Sequence, residues 1–352
     1  MTVDSRELFI LALGLNKKAG VTEARVDYPL KALNELSGVT AKFGSGTVAL
    51  PDNFREQPGI FILHRQIMSD VKMRSKIEEF IDHGWVIVSD IDDDPHHWRG
   101  FIESDFFAFR SVHAVTVSTE PLADMVRKWN PNVKVFKNEI FELPELKNLP
   151  SPKNQQFSIF FGALNRLDDW KIIEKEMVSI AQEYPNVHWR IVHDRDIFET
   201  LPSSCIKTFY PTLNHREYME VLASCDVSLL PLNETQFNNH KSDLKLIESC
   251  ACQTVPICSP VVYGKNPRHF EVARFPLNSS DWYDQLKFFI ENPKSLIDTR
   301  NKGLEYVKNE RMHSMHAPAR ATYYYELLSM REDLEAQRQG RVRQMGVSML
   351  SI

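Results

Sequence analysis

The sequence predicts an α/β protein made of two parallel-sheet domains. Three observations lead there. Short apolar runs alternate with longer amphipathic ones, the pattern of strands joined by crossover helices. The length of 352 residues suits two domains of ordinary size. The alternation also pauses once, at Glu139–Gln155, where Pro144, Pro150 and Pro152 and a lack of periodicity read as an inter-domain linker.

In the first half, strands are expected at Leu8–Leu13, Gly59–Leu63, Val86–Ser89, Ala114–Ser118 and Val133–Phe136. One helix is expected from Val26 to Leu36 and another from Asp70 to His83, with Gly84 as its stop. A third starts at Ser118-Thr-Glu-Pro, where Ser or Thr caps and Pro121 sits in the first turn. After the linker, strands are expected at Ser158–Phe161, Trp189–Val192, Thr208–Tyr210, Val227–Leu230 and Val255–Cys258. Helices are expected at Asp169–Tyr184, Arg216–Ala223, Asp243–Cys252 and Trp282–Glu291, and the stretch from Asn301 to Arg338 reads as mostly helical. Open α/β sheets bind ligands beyond the carboxyl ends of their strands, and two such domains make the cleft between them the expected site.

Composition closes off other classes. Hydrophobic residues at 43% and charged residues at 25% are ordinary for a globular chain and argue against a disordered, collagenous or coiled-coil protein. A net charge of −5 argues against sequence-independent nucleic-acid binding, which needs a large phosphate-neutralising surface. The apolar runs are too short to span a bilayer, and the first residues lack a secretory pattern, so a cytoplasmic location is expected. Cys205, Cys225, Cys250, Cys252 and Cys258 are odd in number and form no C-x-x-C pair. They read as small buried thiols in a reducing compartment. Gly44-Ser-Gly-Thr-Val-Ala49 matches the loose dinucleotide fingerprint but lacks a clear strand before it and a helix after it.

Two segments carry the chemistry. In Phe161-Gly-Ala-Leu-Asn-Arg166-Leu-Asp-Asp-Trp-Lys171, a predicted strand runs into a predicted helix. Arg166 in the turn and Lys171 in the first helical turn would add two cations to a helix N-terminus, a site for a diphosphate. Lysine there opposes the helix dipole, which an anionic ligand would explain; the alternative is a pair of surface charges matched to Asp168 and Asp169. The second segment is Lys241-Ser-Asp-Leu-Lys-Leu-Ile-Glu248-Ser-Cys-Ala-Cys. Ser242 is a plausible N-cap, Lys245 can hold phosphate, and Glu248 one turn deeper can accept two hydrogen bonds from a ribose diol. The alternative is an amphipathic helix with an i,i+3 salt bridge.

Together with CDVSLLPL at Cys225–Leu232 and QTVPICSPVVY at Gln253–Tyr263, these segments resemble the donor domain of retaining nucleotide-sugar glycosyltransferases of the two-Rossmann (GT-B) type, close to glycosyltransferase family four. The first half resembles the group more loosely, through Ala24–Leu33, Gly84–Asp94, Val115–Val126 and Val133–Ile140. The resemblance implies two Rossmann-like domains facing each other across a cleft. They are an acceptor domain at 1–145 and a donor domain at 146–315, followed at 316–352 by a helix crossing back toward the first domain and a tail. It implies that Arg166 and Lys171 bind the donor diphosphate, that Glu248 binds the ribose, and that Ser242 and Lys245 have phosphate roles. No metal or other cofactor is implied, since basic residues and a helix dipole stabilise the leaving diphosphate. Two departures stand out. His240 occupies a position where the family often has a glutamate that touches the sugar, and Gln253 replaces the glycine that usually ends the helix.

The acidic run Asp90-Ile-Asp-Asp-Asp94-Pro-His-His97 follows a strand at the end expected to face the cleft. It admits a general base at Asp92 or Asp93, a metal site, or a loop that caps the next helix. His64 ends the strand Gly59–Leu63, and an N-domain histidine in the resembled enzymes often touches the donor sugar. Arg25 and Tyr28 are candidates for ligand contact, and Asn138 for organising the linker. The C-terminal arginines, Arg331, Arg338, Arg341 and Arg343, read as a solvated helix end or a peripheral contact with the inner face of a membrane.

The expected activity is transfer of a hexose-type sugar from a nucleotide-sugar to a glycan or lipid-linked acceptor, in surface polysaccharide synthesis and with retention of configuration. The alternatives are a sugar-nucleotide 2-epimerase and a non-catalytic glycan-binding subunit.

Overall fold

The structure is a computed structural model that describes residues 7–14, 20–45, 57–68, 71–144 and 156–346. Its contacts group the chain into two units: Met1–Phe141 with His240–Ser242 and His313–Ile352, and Glu142–Asn239 with Asp243–Met312.

The first unit holds a six-stranded parallel sheet: β1 (Leu8–Gly14), β2 (Val39–Ser45), β3 (Gly59–His64), β4 (Val86–Ile91), β5 (Ala114–Val117) and β6 (Val133–Val135), in the order β2-β1-β3-β4-β5-β6. Phe9, Leu11, Leu13, Phe61, Leu63 and Ile87 face one core. The alternate residues Leu8, Ile10, Ala12, Ile60, Ile62, Val86 and Val88 face another. Both faces are covered, so the central strands read as continuous apolar runs. The helices His313–Ser329 and Arg331–Gln344 close the second face, with Ala317, Ala321, Tyr324, Leu327 and Leu334 in its core.

The second unit holds a five-stranded parallel sheet: β7 (Ser158–Gly162), β8 (His188–Val192), β9 (Ile206–Tyr210), β10 (Val227–Leu230) and β11 (Val255–Cys258), in the order β11-β10-β7-β8-β9. Each sheet changes direction once, between β1 and β3 in the first and between β7 and β10 in the second. Such switch points open a crevice at the carboxyl ends of the strands.

Most expected elements are present, and the differences have physical reasons. β2 was not expected. It is an edge strand of mixed polarity, Val-Thr-Ala-Lys-Phe-Gly-Ser, so it shows no apolar run. The helix expected over Asp169–Tyr184 is two: Leu167–Trp170 and Glu174–Glu183. A turn between them lets both Trp170 and Ile173 enter the core. Lys171 therefore caps the carboxyl end of a one-turn helix and does not sit in a first turn, which removes the dipole conflict. Ser242 is not the N-cap of Leu244–Ala251; Asp243 holds that position, with its carboxylate taken by Arg311 at 2.5 and 2.8 Å. Gly84 does end the helix Val71–Asp82, at φ +82°.

All five cysteines are buried free thiols. Residues 46–49 of the Gly44–Ala49 segment and residues 145–155 of the linker lie outside the described residues.

Candidate functional site

In the first unit the chemistry collects at the carboxyl ends of β3 and β4. His64, the last residue of β3, is fully buried. Its Nδ1 lies 2.8 Å from Asp90 Oδ1. Asp90 also accepts from Thr116 Oγ1 at 2.7 Å and from Nε and Nη2 of the Arg25 guanidinium, at 3.2 and 2.6 Å. Burial alone would raise the Asp90 carboxyl, but Arg25 and His64 outweigh it and hold the group well below the usual carboxylate range. Asp90 is therefore an anion in the resting protein, and His64 must donate Nδ1–H to it. His64 Nε2 is buried with no hydrogen-bond partner among the described residues.

Arg25 is thus enclosed and does not face a ligand, and Tyr28 stacks on Phe141 at 5.6 Å between ring centroids. Arg25 also donates to the Phe136 carbonyl and, at 3.1 Å, to Asn138 Oδ1. Asn138 Nδ2 in turn donates to Ser242 Oγ at 2.7 Å.

The rest of the acidic run is salt-bridged. Arg65 donates to Asp92 at 2.6 Å and to Asp93 at 2.8 Å, and Lys241 reaches Asp93 at 2.9 Å. Burial would raise Asp92, but Arg65 first and His64 next hold it low. Asp94 caps the turn Pro95–His97 and lies 2.8 Å from His96 Nδ1 and 3.1 Å from His240 Nδ1. The His240 carbonyl accepts from Thr119 Oγ1 at 3.0 Å. Among the described residues no group of three or more His, Cys, Asp and Glu side chains is arranged to hold a metal ion.

In the second unit the chemistry collects at the switch point between β7 and β10. Arg166, in the loop after β7, donates to Asp169 at 2.8 Å and, at 2.9 Å, to Asn238 Oδ1 in the short helix Gln236–Asn239 after β10. Asp169 ties the two segments further by accepting from Asn233 N at 2.7 Å and Asn238 Nδ2 at 3.1 Å. Lys171 meets Asp168 at 2.9 Å, with a side chain 59% exposed that is free to turn elsewhere.

On the helix Leu244–Ala251, Glu248 is buried. It accepts from His215 Nε2 at 2.9 Å and lies 3.3 Å from Lys245 Nζ. Lys245 also sits over the Tyr218 ring at 3.9 Å. Burial would raise Glu248, but Lys245 and His215 bring it below the usual range.

The sequence reading missed Arg65, Lys241, Asn238, His215 and Tyr218. Arg65 follows His64 directly and adopts φ +54°, a signal only the backbone shows. The others are separated in sequence from the residues they hold. The C-terminal arginines are largely packed within the first unit. Arg338 is buried against Glu78 and Glu335, and Arg341 donates to the carbonyls of Arg110 and Val112. Among the described residues no helix is long and apolar enough to cross a membrane.

No protein-family model matches the chain, and no curated protein matches it. Solved structures do. HepE from Anabaena, in complex with UDP-glucose, superposes with a TM-score of 0.61 at 10% identity, over 90% of this chain and 100% of that one. Sucrose-phosphate synthase from Thermosynechococcus elongatus gives 0.60 at 13% identity, over 92% and 100%. A Listeria monocytogenes protein assigned as a UDP-N-acetylglucosamine 2-epimerase gives 0.53 at 7%, over 89% and 94%. At such identities the likeness shows the fold, the two Rossmann-like domains of the GT-B type that the sequence predicts.

Proposed function

We propose that the protein is a glycosyltransferase that moves a sugar from a nucleotide-sugar to a hydroxyl of a glycan or lipid-linked acceptor, in surface polysaccharide synthesis. The observation that carries this reading is the arrangement at the carboxyl ends of β7 and β10. There Arg166 is held by Asp169 and Asn238, and the helix Leu244–Ala251 presents Lys245 and the buried Glu248. Cations can hold a diphosphate, and a carboxylate one turn deeper can accept from a ribose diol. HepE, which shares the fold, is solved with UDP-glucose.

Arg166, Lys171 and Lys245 bind the diphosphate, with Ser242 as a further donor, and Glu248 binds the ribose. These cations stabilise the charge that develops as the anomeric carbon–oxygen bond breaks and the electron pair stays on the phosphate oxygen. The acceptor oxygen bonds to the anomeric carbon, and its proton passes to the departing phosphate. Retention follows from attack on the same face, and the basic residues supply the charge stabilisation without a metal. His64 Nε2 contacts a sugar hydroxyl, and His240, braced by Asp94, takes the place of the family's glutamate. Asp92 and Asp93, held between Arg65 and Lys241, orient acceptor hydroxyls. A carboxylate kept ionised by a neighbouring guanidinium is a weak base, so this role fits Asp92 better than proton abstraction.

The experiment is product analysis with UDP-glucose and related donors, with and without a lipid-linked or glycan acceptor. Acceptor-dependent release of nucleoside diphosphate supports transfer. Conversion of the donor to its C2 epimer without acceptor would instead support the epimerase reading, which the Listeria likeness favours.

A further inference from the structure

We propose that Arg25 is a positioning residue that sets the hydrogen-bond polarity of two ligand-facing groups at once, making His64 Nε2 an acceptor and the Ser242 hydroxyl a donor. The inference rests on the glycosyltransferase reading for the identity of the ligands, a sugar hydroxyl at His64 and a phosphate oxygen at Ser242. The polarity itself follows from the first unit alone.

A guanidinium can only donate. Two of the Arg25 nitrogens donate to Asp90, which keeps that carboxylate ionised and acceptor-only. Asp90 therefore accepts a hydrogen bond from His64 Nδ1–H at 2.8 Å, so the lone pair of the ring lies on Nε2. That atom is buried and has no partner among the described residues, an arrangement native proteins rarely leave unsatisfied. A hydroxyl donor satisfies it. The charged groups around the ring are Asp90 and Arg25, with Asp92 beyond them.

The second branch starts at another nitrogen of the same guanidinium. Arg25 Nη1 donates to Asn138 Oδ1 at 3.1 Å, which fixes the amide orientation. The Asn138 NH2 group must then point at Ser242 Oγ, 2.7 Å away. Ser242 accepts that bond and keeps its own proton to donate, which is the polarity an anionic oxygen needs. Ser242 is only partly buried, so the proton can be offered to a ligand.

The test uses the full chain and has two readouts. The first is the long-range proton–nitrogen NMR spectrum of the 15N-labelled protein near neutral pH, with His64 assigned by its loss in His64→Gln. The expected pattern is a protonated Nδ1 and a bare Nε2. In Arg25→Met, Asp90 loses both guanidinium donors that hold it acceptor-only, and the single Nδ1–H pattern of the ring is expected to change. A wild-type ring protonated on Nε2 would overturn the proposal, as would an unchanged ring in a folded Arg25→Met.

The second readout is calorimetric titration with UDP. Asn138→Asp keeps the shape but makes the group acceptor-only, so Ser242 must turn its proton inward. UDP affinity is expected to fall about tenfold, the worth of one charge-assisted hydrogen bond, and to a similar degree in Ser242→Ala. The Asn138→Asp change is expected to add little in the Ser242→Ala background. Unchanged affinity in Asn138→Asp, or an equal loss in both backgrounds, would contradict the proposal. Wild type that binds no UDP would count against the donor assignment, while the His64 spectra would still decide the polarity. If Arg25→Met does not fold, the wild-type spectrum and Asn138→Asp decide it.

Discussion

Glu248→Ala separates a binding role from a structural one. The carboxylate is 2% exposed and lies 2.9 Å from His215 and 3.3 Å from Lys245. A hydrogen bond to a charged group is worth about 1.5–3 kcal/mol. At about 1.4 kcal/mol per tenfold, losing one net bond to the ribose weakens nucleotide binding by roughly 10- to 150-fold. Stability should change less, because the Lys245 side chain is 38% exposed and can turn to water when its partner is removed. The assay is calorimetric titration of wild type and variant with UDP, alongside thermal unfolding of each. A large loss of affinity with a shift of only a few degrees in Tm is expected. If affinity holds and Tm drops sharply, Glu248 serves to brace His215 and Lys245, and the ribose assignment fails.

Three further outcomes concern the scaffold. Arg338→Met removes a buried guanidinium bound to Glu78 and Glu335, whose side chains are 34% and 22% exposed, and should cost about 2–4 kcal/mol in urea unfolding. Asp243 is brought well below the usual carboxylate range, against the pull of burial, by Arg311 and then His269. The unfolded chain therefore binds the proton first, so the stability this group contributes is complete above about pH 4 and lost as pH falls toward the folded-state pKa. Asp243→Asn should flatten that acid limb in chemical denaturation followed as a function of pH. Gly59→Ala would place a Cβ 2.7 Å from both the Phe9 carbonyl oxygen and the Trp85 ring, and should destabilise by about 1–3 kcal/mol, measured by thermal unfolding.

What the sequence showed depended on how each residue is buried. β1, β3 and β4 were legible because both faces of the sheet are covered, so each carries a continuous apolar run, Leu8–Leu13, Ile60–Leu63 and Val86–Val88. β2 was not, because an edge strand needs only partial burial. Arg166, Lys171, Lys245 and Glu248 could be picked out from spacing along a strand–turn–helix pattern. Their restraints could not: Asn238 lies 72 residues from Arg166, and His215 lies 33 from Glu248. Arg25 shows the limit most clearly. Its charge near the end of the first strand suggested ligand contact, yet its partner Asp90 is 65 residues away, and the pair is buried. Such pairings are set by the strand order β1-β3-β4 and leave no local mark in the sequence.

The most direct test of the account is calorimetric titration of the wild-type protein with UDP, GDP, dTDP and CMP, each without added metal and then with Mg2+. The account predicts micromolar binding of one of these without metal, weakened in Glu248→Ala and in Arg166→Ala. A folded protein that binds none of them, or binds only when Mg2+ is present, would contradict it.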